Sequence, residues 1–396
     1  MRDVYERLLA AANLRSADGA VRIVAEYEPA GGPGASLFPP TVKVSGSDAA
    51  GYLRESRYVD GEQVEVVYLD QPQSQANRCE VALLDAVRRG ELFVPHVEMR
   101  TEAQNIPVQV SNLEAPHRSR DAYFRDSLGA KGEAFDETPA GKALRDARAG
   151  DYSAFLRLVP SDLLYGVWDS HRKRRIAVKV ARAYTSSIIG VAPLVGVRAA
   201  GRVDQLNLAG DTVQVTSEGW KELECAKAPK GAKTARMSEI GHGMIPPSES
   251  IGGVSVASVQ RTATVSMAQL ASLRFGTMSE ELTAASRALL AAMALAGDRL
   301  AFAAPALRLR SGCDLLMVSE RMEWVGRGRD GLPLAEPLEL GGPQEALALF
   351  EFALKQAVTA GLEWPDEPLV VQPNASLQKA IEKSFQVDGI GEAEGE

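Results

Sequence analysis

Apolar and polar side chains alternate from Val21 to Tyr27, and Gln63–Leu69, Tyr184–Gly190 and Gly252–Ser266 also read as extended segments. A period of two puts one side of a segment in a core and leaves the other outside, so these stretches predict strands. Spacings of three and four predict helices at Val4–Asn13, Cys79–Leu84, Met267–Leu273 (with Ser266 as its cap) and Pro343–Ala360. The Ala/Leu-rich run Met278–Leu295 predicts a buried helix. Glu91–Val97, Leu300–Phe302, Cys313–Val318 and the apolar residues opening Leu163–Ile176 are further strand candidates. Gly129–Gly150 is charged and weakly apolar and reads as an exposed excursion with a short helix near Ala140–Arg148.

Between Val195 and Gly253 this patterning weakens into short alternations such as Thr212–Val215 among many Gly and Lys. That change predicts an insertion, a hairpin or mobile lobe projecting from the core, closed by the special loop Gly241–Pro247. The tail 389–396 is polar and acidic. With 396 residues, 45% hydrophobic and 24% charged, the chain is an ordinary globular protein. Only 6% of residues are aromatic, which argues against a binding surface made mainly of stacked rings. The charged N-terminus lacks an apolar signal segment, no run of 18 apolar residues predicts a membrane span, and Cys79, Cys225 and Cys313 are isolated. A cytoplasmic protein with reduced thiols is expected.

Charge changes the picture. From Ser170 to Val203 no acidic residue occurs, while Arg172, Lys173, Arg174, Arg175, Lys179, Arg182, Arg198 and Arg202 are positive, in a chain whose net charge is -8. Segregation of this kind points to an anionic partner, with nucleic acid the usual one. If His171–Ala183 is helical, Arg172, Arg175, Lys179 and Arg182 recur at spacings of three, four and three and form one stripe, with Ile176 and Val180 toward the core. The amide-rich helix start at Gln73, Ser74, Gln75, Asn77 and Arg78 suits phosphate or sugar contacts, or equally a solvated first turn. His117 and Arg118 can touch an anion or serve as a surface cap.

Catalytic patterns are sparse. Gly31–Gly34 follows a strand but lacks Gly-Lys-Ser/Thr and is followed by prolines, so it reads as a loop. Asp169, Ser170 and His171 are too close in sequence to align as a hydrolase triad. His242, between glycines, is a candidate general base for RNA cleavage or simply a loop histidine. No metal-ligating spacing occurs, so no metal or cofactor is expected and a binding protein is favoured. The alternatives are an RNA endonuclease using His242 or His171, and an enzyme whose basic segment holds a phosphorylated small molecule.

Five motifs carry a family resemblance: Pro72–Arg78, Ala115–Arg118 with Phe124–Ser127, Leu163–Arg172, Ile245–Pro247 and Arg261–Ala263. In this order they resemble the backbone subunit of the type I-G (formerly I-U) CRISPR Cascade complex, the Csb-one branch of the Cas-seven family in the RAMP superfamily. The resemblance implies an α+β fold: an RRM-like (ferredoxin-like) palm over residues 1–194 and 254–388, with a thumb-like insertion at 195–253. It implies a non-catalytic subunit that polymerises head to tail along guide crRNA, holds its phosphates, and presents it to a target DNA strand beside other Cascade subunits. By this resemblance Arg172, Lys173, Arg175 and Lys179 grip guide phosphates, with Gln73, Ser74, Asn77, Arg78 and Arg118 as further candidates. Arg182, His171, Gln75, His117 and Arg261 complete the expected RNA-binding set.

Overall fold

The computed structural model describes residues 1–43, 50–59, 61–169, 178–208, 211–216, 219–223, 233–328 and 330–385. The fold is α+β and is consistent with an RRM-like RAMP palm. Its main sheet is antiparallel throughout, in the order Ala306–Arg310, Cys313–Arg327, Asp18–Pro29, Ser258–Ser266, Tyr184–Val191, Glu62–Asp70 and Arg54–Val59, with Pro333–Pro337 paired to Cys313–Arg327. Strands distant in sequence thus meet at the centre.

The two-residue period decides which face is covered. Val21, Ile23, Ala25 and Tyr27 are buried, and so are Val259, Ala263 and Val265 on the neighbouring strand, where Ala25 pairs with Arg261. Onto this face pack α2 (Pro72–Arg88) and the central helix Glu280–Phe302, and α1 (Arg2–Ala11) and the helix Pro343–Thr359 pack in turn on the central helix. The central helix is buried almost all round from Ala285 to Arg299, as its Ala/Leu content predicts. Ser279 caps it and Ser266 caps Met267–Ser272, each accepting a backbone N–H at 3.1 Å.

Four local expectations are corrected. Leu163 and Leu164 are fully buried but lie in the helix Ser161–Tyr165, a run too short for its period to separate helix from strand. Leu300–Phe302 is the end of the central helix, not a strand. The excursion 129–150 buries Phe135 and Leu144, the latter on the helix Pro139–Asp146 capped by Thr138. Glu91–His96 is irregular and leads into the strand Val97–Ala103 of a smaller sheet.

From the main sheet the chain runs out along Leu194–Arg202 and back along Ile245–Ser255, an antiparallel ribbon starting at the Leu194–Ser255 pair. A three-stranded unit of Thr212–Thr216, Gly219–Glu222 and Thr234–Arg236 is carried within this arm. The ribbon backbones approach so closely that a Cβ on Gly252 would lie 2.6 Å from the Gly196 carbonyl carbon. No helix among the described residues is long and apolar enough to cross a membrane. The tail 389–396 lies outside the described residues.

Candidate nucleic-acid interface

The strand Glu62–Asp70 delivers the chain into α2, whose N-cap Gln71 makes no side-chain capping bond and whose first turn holds Pro72. Helical phase then separates neighbours: Gln75, Cys79 and Leu83 are buried, whereas Gln73 and Asn77 are exposed on the opposite side. A second wall is the turn at Pro116–Arg118. A third is a short ribbon in which Val167–Trp168 pairs with Lys179–Val180, Trp168 opposite Lys179. Together these walls enclose a cleft of about 650 Å³.

Arg118 ties the walls together. It takes up a positive φ of 53°, donates from Nε and Nη2 to the two carboxylate oxygens of Glu80 at 2.7 Å each, and from Nη1 to the Gly166 carbonyl at 3.2 Å. Gly166 has φ +80°, and a Cβ there would lie 2.8 Å from the Arg182 Cγ, so glycine permits both the turn and the approach. Burial pushes the Glu80 carboxyl up, to about 7, against the lowering effect of the Arg118 charge. Burial lowers the Arg182 guanidinium, and the like charge of Arg118 lowers it further.

Two cations stand at the cleft wall without an ion pair among the described residues. Among the described residues no carboxylate pairs with Lys179 or Arg182, while Arg118 is neutralised by Glu80. Lys179 is exposed, with its Nζ 5.8 Å from the centroid of the Trp168 ring, itself 62% exposed.

The structure sorts the expected RNA-binding residues into four groups. Gln73, Asn77, His117, Arg118, Lys179 and Arg182, spread over 110 positions of sequence, all line the cleft. Ser74 and Arg78, with Asn77 again, border a second groove of about 460 Å³ along α2. Arg78 is held by the Asp70 carboxylate at 2.8 Å and the Leu309 carbonyl at 2.8 Å. Gln75 and Arg261 are corrections, being fully buried and out of reach of an RNA in this fold. Gln75 accepts from Ser186 at 2.7 Å and from Arg261 Nε at 3.2 Å, while Arg261 pairs with Asp298 and lies over the Phe302 ring at 3.9 Å. His171, Arg172, Lys173 and Arg175 lie outside the described residues, whose flanks meet where the Asp169 N–H donates to the Val178 carbonyl at 3.0 Å.

The helix expected over His171–Ala183 is corrected for its described part. Lys179–Val180 is a strand, with Val178 and Val180 buried and Lys179 exposed, so Lys179 and Arg182 converge on the cleft without forming a helical stripe. His242 stands apart on the arm, its ring 5.6 Å from that of Trp220. Trp168 also lines the cleft, although it is not in the expected set. Its signal lay in the alternation Val167–Trp168 against Lys179–Val180, which turns the ring outward.

No curated protein matches the chain. The match to a family falls on residues 21–193, from the strand Asp18–Pro29 through Tyr184–Val191, and that span contains every wall of the cleft. Over these residues the chain matches CRISPR-associated protein GSU0053, a Cas7-type family, and the match supports a Cas7-like subunit with a role in a CRISPR system.

Proposed function

We propose that the chain is a non-catalytic Cascade backbone subunit that holds guide crRNA by its phosphates and sugars and presents the bases to a target DNA strand. The observation that carries this reading is the cleft, where exposed amides of Gln73 and Asn77 and the cations Lys179 and Arg182 converge beside the ends of the segment containing Arg172, Lys173, Arg174 and Arg175. A guide of variable sequence has to be gripped through its backbone, because its bases must stay free to pair. Copies packing head to tail through heterologous contacts would extend that grip along the RNA, with other Cascade subunits at the ends. The type I-G assignment and a cytoplasmic location belong to the same proposal.

Replacing Arg172, Arg175 and Lys179 together by alanine should weaken binding equally for unrelated guides. The slope of log affinity against log salt should become shallower by about 0.7 per lost phosphate contact. Unchanged binding by the triple variant would remove this function. RNA cleavage lost in His242→Ala would favour the endonuclease reading instead.

A further inference from the structure

The ribbon closing the cleft presents its aromatic ring to solvent. Register places Val167 opposite Val180 and Trp168 opposite Lys179, and the valines are 6% and 5% exposed while Trp168 is 62% exposed. It is the most exposed of the four tryptophans of the chain. An indole left in water forfeits the burial that its large apolar faces would gain in a core. The ring is also placed beside charge, with Lys179 against it and Arg182 on the same cleft wall.

We propose that the cleft is a single-nucleotide subsite in which Trp168 stacks on one unpaired base of an RNA strand while Lys179 and Arg182 hold the adjoining phosphates. This rests on the RNA-holding reading above and adds a base contact to it. Phosphates alone need cations and N–H donors, not a ring. An aromatic face beside cations is the combination that single strands engage, and stacking tolerates any base because every base has a π-face. A variable guide can therefore use it. At about 650 Å³ the cleft has the size of a small-ligand site, commonly roughly 300–1,000 Å³, a scale that matches a single nucleotide. His117, Gln73 and Asn77 supply polar groups around it for ribose hydroxyls.

The test uses the full chain freed of nucleic acid, an oligouridylate, and an abasic strand of equal length with the same phosphates. Wild type should prefer the base-bearing strand by roughly tenfold. Its tryptophan fluorescence should be quenched more by that strand than by the abasic one. Trp168→Ala should bind both strands equally, at the level set by charge, and Trp168→Phe should recover most of the preference. A wild type indifferent to the bases, or a Trp168→Ala that keeps the preference, overturns the stacking subsite and leaves RNA holding intact. A wild type that binds neither strand overturns both. The wild-type strand comparison and its quenching decide the matter even if an alanine variant folds poorly.

Discussion

Two clusters in this molecule are made of similar residues and behave in opposite ways. In the core, Arg261 and Arg299 are fully buried, and both are paired with Asp298 from the central helix, which also accepts from Tyr184 Oη at 2.6 Å. Arg299 continues to Glu320 on the sheet at 2.8 Å, and Gln75 joins α2 to Ser186 and Arg261. At the cleft, Lys179 and Arg182 have no such acids among the described residues. Burial forces compensation, because an unpaired charge out of water is costly. Lys179, exposed, meets no such demand, and its charge is left available to a ligand. Arginine by itself therefore says little about RNA here, and its partners decide its role.

Breaking the core cluster should have the largest effect. Burial alone would raise the Asp298 carboxyl, yet Arg261 and Arg299 hold it down to about 2. Asp298→Ala leaves two buried guanidinium groups short of a counter-charge and should cost about 3–5 kcal/mol. Chemical denaturation would measure this, and a loss below about 1 kcal/mol would mean that the network does not staple the helices to the sheet.

A carboxylate beneath the cleft gives the next effect. Asp162 is buried, accepts from Ser119 Oγ, and has one oxygen without a hydrogen-bond partner. Burial raises it from 3.8 to about 6, against the Ser119 hydrogen bond and the charges of Arg118 and Arg120. The folded state thus keeps a proton that the unfolded chain gives up near its ordinary value. This contribution to stability is full below about pH 4 and is lost as pH rises through about 6, an amount of roughly 2–3 kcal/mol. Asp162→Asn should flatten that part of the stability profile. A profile falling as steeply as wild type between pH 4 and 6 would assign the slope elsewhere.

The same contrast explains what was legible in the sequence. The strand alternation, the buried Ala/Leu helix and the Ser266 cap follow from local period, and the basic character of Lys179 and Arg182 from local charge. Arg261 did not, although it is in phase with Val259, Ala263 and Val265, and that phase turns it inward. Only its partner Asp298, 37 residues away, makes such a position tolerable, and pairing at that range leaves no local pattern. Gln75 has the same explanation, in phase with Cys79 and Leu83. Lys179 carried two signals, helical spacing to Arg175 and Arg182 and alternation with Val178 and Val180, and in the structure the alternation prevails because both valines are needed in the core.

The finest separation of the two clusters lies within α2, between residues two positions apart. Gln75→Ala removes an acceptor from Ser186 and Arg261 inside the core and should cost about 1–3 kcal/mol of stability, the penalty for stranding buried donors. Asn77→Ala, on the exposed side, should change stability by less than about 0.5 kcal/mol. Its effect belongs to binding, where losing one neutral hydrogen bond of about 1 kcal/mol corresponds to roughly fivefold weaker RNA affinity. Melting and RNA titration of both variants check this together. If Asn77→Ala lowers stability while affinity follows the folded fraction alone, the exposed face of α2 is scaffold like the buried one, and the division between paired core and available cleft does not extend to this helix.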